Sequence, residues 1–245
     1  ELLELYHDFV NKRQPEFKSV VPYKSYIDWI QKKDVYVAEK FWRSYLTGIT
    51  KPTYLKLKVD TTTNHTLEGV ETFFDYEWHL TKDETAKIVS FAKRNNLTLN
   101  TIMQAAWAML LQQYTKEDDI VFGITVSGRA IDLPGIETML GLFINTIPLR
   151  VNFNESEDSF IGFLKGLQMQ TPEVEEYSYL SLAKIQKCSD LSNAKVLFNT
   201  ILVFENYPTK TFQSQELSIE RLDGLSKGEY PLGLSIVPSD CLLFT

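Results

Sequence analysis

Two apolar runs, at residues 120–126 and 142–151, constrain this chain more than any other feature. They flank a Ser127-Gly128-Arg129 turn and a Leu133-Pro134-Gly135 break. A strand that is apolar on both faces is a buried strand, so both runs predict strands inside a covered sheet. The second run nevertheless holds Asn145 and Thr146 in its middle and Arg150 near its end. An amide or hydroxyl in such a place finds a hydrogen-bond partner or costs about 1–3 kcal/mol. Such insertions mark a constructed interior site, and Asn145 has two readings: it ties two loops together, or it touches a substrate. Buried arginines are costly unless paired, so Arg129 and Arg150 are each expected to hold a carboxylate or several carbonyls. For Ser127 and Gly128 a turn is explanation enough.

Helical spacing recurs around these runs. Leu2, Leu3, Leu5, Tyr6, Phe9 and Val10 follow it until the polar stretch 11–14 and Pro15. Tyr23, Tyr26, Ile27 and Ile30, then Val37, Phe41 and Tyr45, predict two short aromatic helices, the second stopped by Gly48. Residues 49–69 have no period and predict a surface excursion leading to a strand at 70–80. Thr81-Lys82-Asp83-Glu84 has capping-box spacing and predicts a helix to about Arg94. Thr98 or Asn100 caps the next helix, whose Ile102, Ala105, Ala106, Met109, Leu110 and Gln113 read as its apolar face. Phe160, Phe163, Leu164 and Leu167 mark a further helix, and residues 172–186 read as less regular. Strands are expected at 196–205, 217–222 and 231–237, with a mobile turn at 224–230. Helices alternating with strands imply a mixed α/β layer.

Composition narrows the function classes. With 44% hydrophobic and 13% aromatic residues, the 245-residue chain has ample material for a core. Lys plus Arg number 25 against 32 Asp plus Glu, a net charge of -7, and the charges are interspersed. Nucleic acid is therefore not the expected partner, because phosphate binding needs clustered cations. Cys188 and Cys241 are too few for a metal cage or a disulfide framework, which favours a reduced, cytoplasmic setting. No apolar stretch approaches the roughly 18 residues of a membrane span, so no membrane partner is expected. The Glu117-Asp118-Asp119 cluster reads as a solvated turn, and no metal site is expected. Nucleotide-binding, zinc-protease and serine-hydrolase motifs do not occur in the sequence.

Val126-Ser127-Gly128-Arg129, Leu133-Pro134-Gly135-Ile136-Glu137 and Gly141-Leu142-Phe143-Ile144-Asn145-Thr146-Ile147-Pro148-Leu149-Arg150 together resemble the late core of a condensation domain from a nonribosomal peptide synthetase. Residues 22–29 resemble that family's aromatic helix motif. Asn199-Thr200 and Val203-Phe204-Glu205-Asn206-Tyr207-Pro208 resemble a later one. The family's His-His-x-x-x-Asp-Gly signature does not occur: His7, His65 and His79 are isolated. Residues 1–6 resemble the helix that follows the signature, and residues 241–245 read as a strand cut short, so truncation at both ends is expected.

The resemblance implies an α/β, chloramphenicol-acetyltransferase-like lobe with a mixed sheet and flanking helices, mainly the C-terminal half of a condensation domain. Residues 1–68 would be residual helices and linker, and residues 69–245 the C-terminal subdomain. Two such halves would form a V, with a tunnel where an acceptor amine attacks a donor thioester. Substrates would ride on the phosphopantetheine of carrier proteins, with no cofactor bound directly. Partners would be carrier domains, the N-terminal half and an adenylation domain. Ser127, Gly128, Arg129, Asn145, Thr146, Arg150, Asn199 and Asn206 would form tunnel wall or structural motif, and no residue present would be catalytic. The resemblance favours the subtype joining two L-residues over the epimerisation class. It leaves open a non-catalytic docking module and a stand-alone coenzyme A-dependent acyltransferase.

Overall fold

The computed structural model describes residues 2–15, 19–56, 75–155, 159–191, 196–206 and 229–245. Three helices open the chain: α1 (Leu2–Val10), α2 (Lys24–Gln31) and α3 (Val35–Leu46). Asp34 starts α3 by accepting the Tyr36 amide at 2.8 Å. Strand β1 (Trp78–His79) and helix α4 (Lys82–Arg94) follow. The capping box is formed: Thr81 accepts the Glu84 amide, and the Glu84 carboxylate accepts the Thr81 amide at 2.9 Å. Helix α5 (Leu99–Thr115) is capped by Thr98, not Asn100, because the Thr98 hydroxyl accepts the Thr101 amide at 3.0 Å. Strands β2 (Asp119–Val126) and β3 (Asn145–Asn152) come next, then helices α6 (Phe160–Glu176) and α7 (Leu182–Gln186), and strands β4 (Thr200–Phe204), β5 (Leu232–Val237) and β6 (Leu243–Phe244).

The strands form one mixed sheet in the order β1-β6-β5-β4-β2-β3. β2, β4 and β5 run parallel, while β3, β6 and β1 are antiparallel to their neighbours. Antiparallel pairing places Asn145 opposite Val126 and Arg150 opposite Val121. Ile120, Phe122 and Ile124 of β2, with Ile147, Leu149 and Val151 of β3, join a core shared with Trp42, Leu46, Trp107, Leu111 and Leu164 from three helices. Helix α3 therefore packs into the same core as the sheet. A smaller cluster, Tyr26, Ile136, Met139 and Phe143, joins α2 to the loop between β2 and β3.

β3 is an edge strand, and three of its outer main-chain groups have side-chain partners. The Thr146 amide donates to Asn145 Oδ1 at 2.9 Å, and the Arg150 amide to the Tyr45 hydroxyl at 2.8 Å. Gln170 Nε2 donates to the Arg150 carbonyl at 2.8 Å and also contacts the Tyr45 hydroxyl. Pro148, between them on the same edge, has no amide to satisfy.

Three expectations change. The face proposed for α5 is rotated: Ala105 is buried, but Met109 and Leu110 are 45% and 46% exposed, and Ala106 and Gln113 are exposed. Thr101, Gln104, Ala108 and Leu111 face the interior in their place, with Met103 and Trp107 beside them. α5 has no charged residue to mark its outer side, so its apolar residues alone cannot set its rotation. Residues 172–186 are more regular than expected, because α6 continues through Pro172 to Glu176 and α7 follows. Of the strand expected at 70–80, residues 75–80 are described, and only Trp78–His79 among them form strand. The strand expected at 217–222 lies outside the described residues.

Candidate functional site

The parallel strands β2, β4 and β5 all end at one side of the sheet, at Val126, Phe204 and Val237. β3 begins there, opposite Val126. The carboxyl side of parallel strands is where α/β sheets ordinarily build sites, since loops diverge from it. Ser127, Gly128, Arg129, Asn145 and Thr146 collect at this side, and Asn206 stands exposed two residues past β4. Arg150 and Asn199 do not join them: Arg150 pairs with Val121, and Asn199 precedes β4 at its opposite end.

Gly128 turns the chain out of β2 with φ +65°, and a Cβ there would collide with the Phe143 carbonyl oxygen. The Ser127 hydroxyl closes the turn by accepting the Arg129 amide at 3.3 Å. The Arg129 guanidinium then donates to the carbonyls of Ile136 and of Met139, the latter at 3.0 Å, and lies 4.1 Å from the Phe143 ring centroid. One side chain thus folds the loop at residues 131–143 back over the end of β2, satisfying two carbonyls of a segment without a ladder. The expectation of several carbonyls for Arg129 agrees with this geometry.

Asn145 spends its amide on the main chain. Nδ2 donates to the carbonyls of Ser178 at 2.6 Å and Leu180 at 3.0 Å, fastening the start of β3 to the α6–α7 connection. Of its two readings, loop-tying is the geometry found. Thr146, next along, hydrogen-bonds Tyr230, whose phenol is pushed above its ordinary pKa by burial. Arg150 makes a bidentate pair with Asp119, Nε to Oδ1 and Nη2 to Oδ2, each at 2.8 Å. Its Nη1 also donates to the carbonyls of Tyr45 at 3.0 Å and Thr47 at 2.8 Å. Asn199 exchanges two hydrogen bonds, both 2.9 Å, with the main chain of Leu55, acting as a side-chain substitute for a strand neighbour.

Several contributors escape sequence reasoning. Tyr23 donates its hydroxyl to the Leu142 carbonyl at 2.5 Å across 119 residues, and the Ser178 and Leu180 carbonyls receive Asn145. Tyr45 and Gln170 cover the β3 edge. Nothing in their local spacing points across such distances. Among the described residues no group of three or more His, Cys, Asp and Glu could hold a metal ion. His7 is exposed on α1, His79 contacts Glu77 at 3.0 Å, and His65 lies outside the described residues.

A mixed sheet backed by helices, with a braced loop at the carboxyl ends of its parallel strands, defines an α/β lobe of the chloramphenicol-acetyltransferase type. The sequence profile of the condensation domain matches residues 1–244, and the chain belongs to that family. It is 34% identical over 98% of its length to bacitracin synthase 3 of Bacillus licheniformis, and spans 4% of that protein. It is 33% identical over 99% of its length to surfactin synthase subunit 3 of Bacillus subtilis (strain 168), spanning 19% of it. In fold it is similar to the X-domain from teicoplanin biosynthesis, with a TM-score of 0.73 and 19% identity over 99% of this chain and 57% of that one. The first condensation domain of the CDA synthetase gives a TM-score of 0.69 and 15% identity over 99% of this chain and 53% of that one. The chain thus spans about half of these solved chains. No helix among the described residues is long and apolar enough to cross a membrane.

Proposed function

We propose that this chain is the lobe of a condensation domain that supplies the braced wall of its substrate tunnel, the domain joining two carrier-bound acyl groups through an amide. The acceptor amine nitrogen attacks the donor thioester carbonyl; a C–N bond forms, the C–S bond breaks, the amine gives up a proton and the departing thiolate takes one. An imidazole serves that proton transfer near neutral pH, or positions the amine. The His-His-x-x-x-Asp-Gly signature does not occur in these 245 residues, so no histidine here is assigned that step, and the chain alone is expected to be inactive. Its own contribution is geometric. Arg129 and Asn145 hold two loops at the strand ends within fixed limits, and holding reactants in place is worth several powers of ten in rate. Phosphopantetheine arms of carrier domains bring both substrates, and the adenylation domain and the other half of the domain are the remaining partners.

The observation that carries this reading is the Arg129 brace beside Asn145 at the strand ends, in a chain matched over residues 1–244 by the condensation-domain profile. The test uses the full-length protein with donor and acceptor carrier domains loaded, following the product on the acceptor carrier by mass spectrometry. Wild type is expected to give the amide, and Arg129→Met to slow it about tenfold or more. Acyl transfer from coenzyme A to a free amine would replace this reading with that of a stand-alone acyltransferase, and no transfer at all would leave a docking module.

A further inference from the structure

We propose that Tyr23, at the start of α2, is a positioning residue for the tunnel wall. This rests on the condensation reading above. The contact has three parts that converge on one short segment. The Tyr23 hydroxyl donates to the Leu142 carbonyl at 2.5 Å. Its ring occupies the space beside Gly141 so closely that a Cβ there would collide with the ring's Cδ2 edge. The same ring meets Phe143 edge-on, with centroids 5.1 Å apart at 84°. Three consecutive residues, Gly141, Leu142 and Phe143, are thus gripped by one side chain from the far end of the sequence.

What the grip holds is the approach to β3. Phe143 is buried against Tyr26 at 4.6 Å between ring centroids, and the Arg129 guanidinium lies over its ring. Leu140, Leu142 and Ile144 point outward as exposed apolar side chains on the same segment. Residue 144 leads directly into Asn145, the anchor of the α6–α7 connection. Residues 140–144 lie outside the sheet ladder, which begins at Asn145, and they are held by Tyr23, Tyr26, Arg129 and the close approach of Gly128 to Phe143. Arg129 fixes the loop at Ile136 and Met139. Tyr23 fixes it at the residues nearest the strand. Removing the hydroxyl leaves the ring packing intact and frees the Leu142 carbonyl, so the segment can swing while the fold persists. A wall displaced by about 1 Å misaligns bound reactants and lowers turnover more than binding.

The experiment compares wild type, Tyr23→Phe and Gly141→Ala in the full-length protein with loaded carrier domains. Three quantities are read: thermal midpoint, amide hydrogen exchange at residues 140–144, and kcat and KM for the acceptor carrier. For Tyr23→Phe the expected result is a midpoint within about 1 °C of wild type, exchange at residues 140–144 at least fivefold faster, kcat lower by about five- to twentyfold, and KM within twofold. Gly141→Ala, which drives a methyl into the ring, is expected to reproduce the faster exchange, and Tyr23→Ala on that background to add no further loss of kcat. Unchanged exchange and unchanged kcat in Tyr23→Phe would overturn the proposal, as would a fall in kcat matched by a general fall in the midpoint, which marks a merely structural role. Faster exchange with no product from wild type itself would support the grip on the segment and overturn the condensation reading on which its purpose rests.

Discussion

Gly128 is a residue at which an added methyl group would meet main chain and a strained backbone conformation at once. Its φ of +65° is a conformation that L side chains adopt at a cost of about 1–2 kcal/mol, and the new Cβ would meet the Phe143 carbonyl oxygen. Overpacking adds about 1–3 kcal/mol, so Gly128→Ala is expected to lose about 2–5 kcal/mol in urea unfolding. Arg129→Met keeps bulk over Phe143 but strips two carbonyls of their donor, and is expected to cost about 1–3 kcal/mol by the same measurement. Glu175 behaves in the opposite sense. Burial raises its pKa above the ordinary glutamate value, so the folded state binds its proton more tightly than the unfolded chain. Stability therefore falls as pH rises through the window just above that ordinary value. Glu175→Gln should raise the thermal midpoint at pH 7 and have no such benefit at pH 4; an equal effect at both would refute the assignment. At this scale the sequence was partly legible. Arg129 and Arg150 could be marked because a guanidinium among apolar residues must be paired, but for Tyr23 the sequence offered only helical spacing and a place in an aromatic motif, not its partner Leu142.

At the scale of elements, the edge of β3 is the telling case. Its Asn145, Thr146 and Arg150 looked like a polar interruption of a buried strand, and with Pro148 they prove to be the means of finishing a sheet edge. Thr146 is capped by its neighbour, Pro148 needs no acceptor, and Arg150 is met by Tyr45 and Gln170. Burial pushes the Tyr45 phenol well above its ordinary pKa, so it stays protonated across the neutral range. Tyr45→Phe with Gln170→Ala should expose the Arg150 amide and carbonyl to strand addition. Faster exchange of the Arg150 amide and a concentration-dependent rise in mass by light scattering are expected; a monomer with unchanged exchange would contradict this account. Helix starts were readable because their caps are local, as Thr81 and Glu84 illustrate. The rotation of α5 was not, because Met109 and Leu110 are as apolar as the residues that won the inner side, and only contact with the sheet distinguishes them.

For the whole molecule, the question is whether the first helices and the sheet form one cooperative unit. Trp42 of α3 is fully buried, donates its indole N–H to the Tyr177 carbonyl at 3.1 Å, and stands in the same core as Phe122 and Leu149. Thr53 adds a second tie, accepting the Val121 amide at 2.7 Å while its own amide donates to the Leu197 carbonyl at 2.9 Å. The proposed division at residues 68 and 69 falls outside the described residues, and the ties cross it. Trp42→Ala is expected to cost about 3–5 kcal/mol and to shift helix and sheet signals together. Two separate transitions in near- and far-ultraviolet circular dichroism would show that the segments fold independently.

The sequence by itself determined the family, the capping box at Thr81 and most of the elements, though not the helices of residues 172–186, because periodicity, capping chemistry and contiguous motifs are written in neighbouring residues. Tertiary structure alone decided which motif residues stand together: Arg129 and Asn145 at the strand ends, Arg150 and Asn199 away from them, Tyr23 across from Leu142. The physical reason is that strand order and direction bring residues from distant parts of the chain to one side of the sheet, and no local pattern encodes which parts those are.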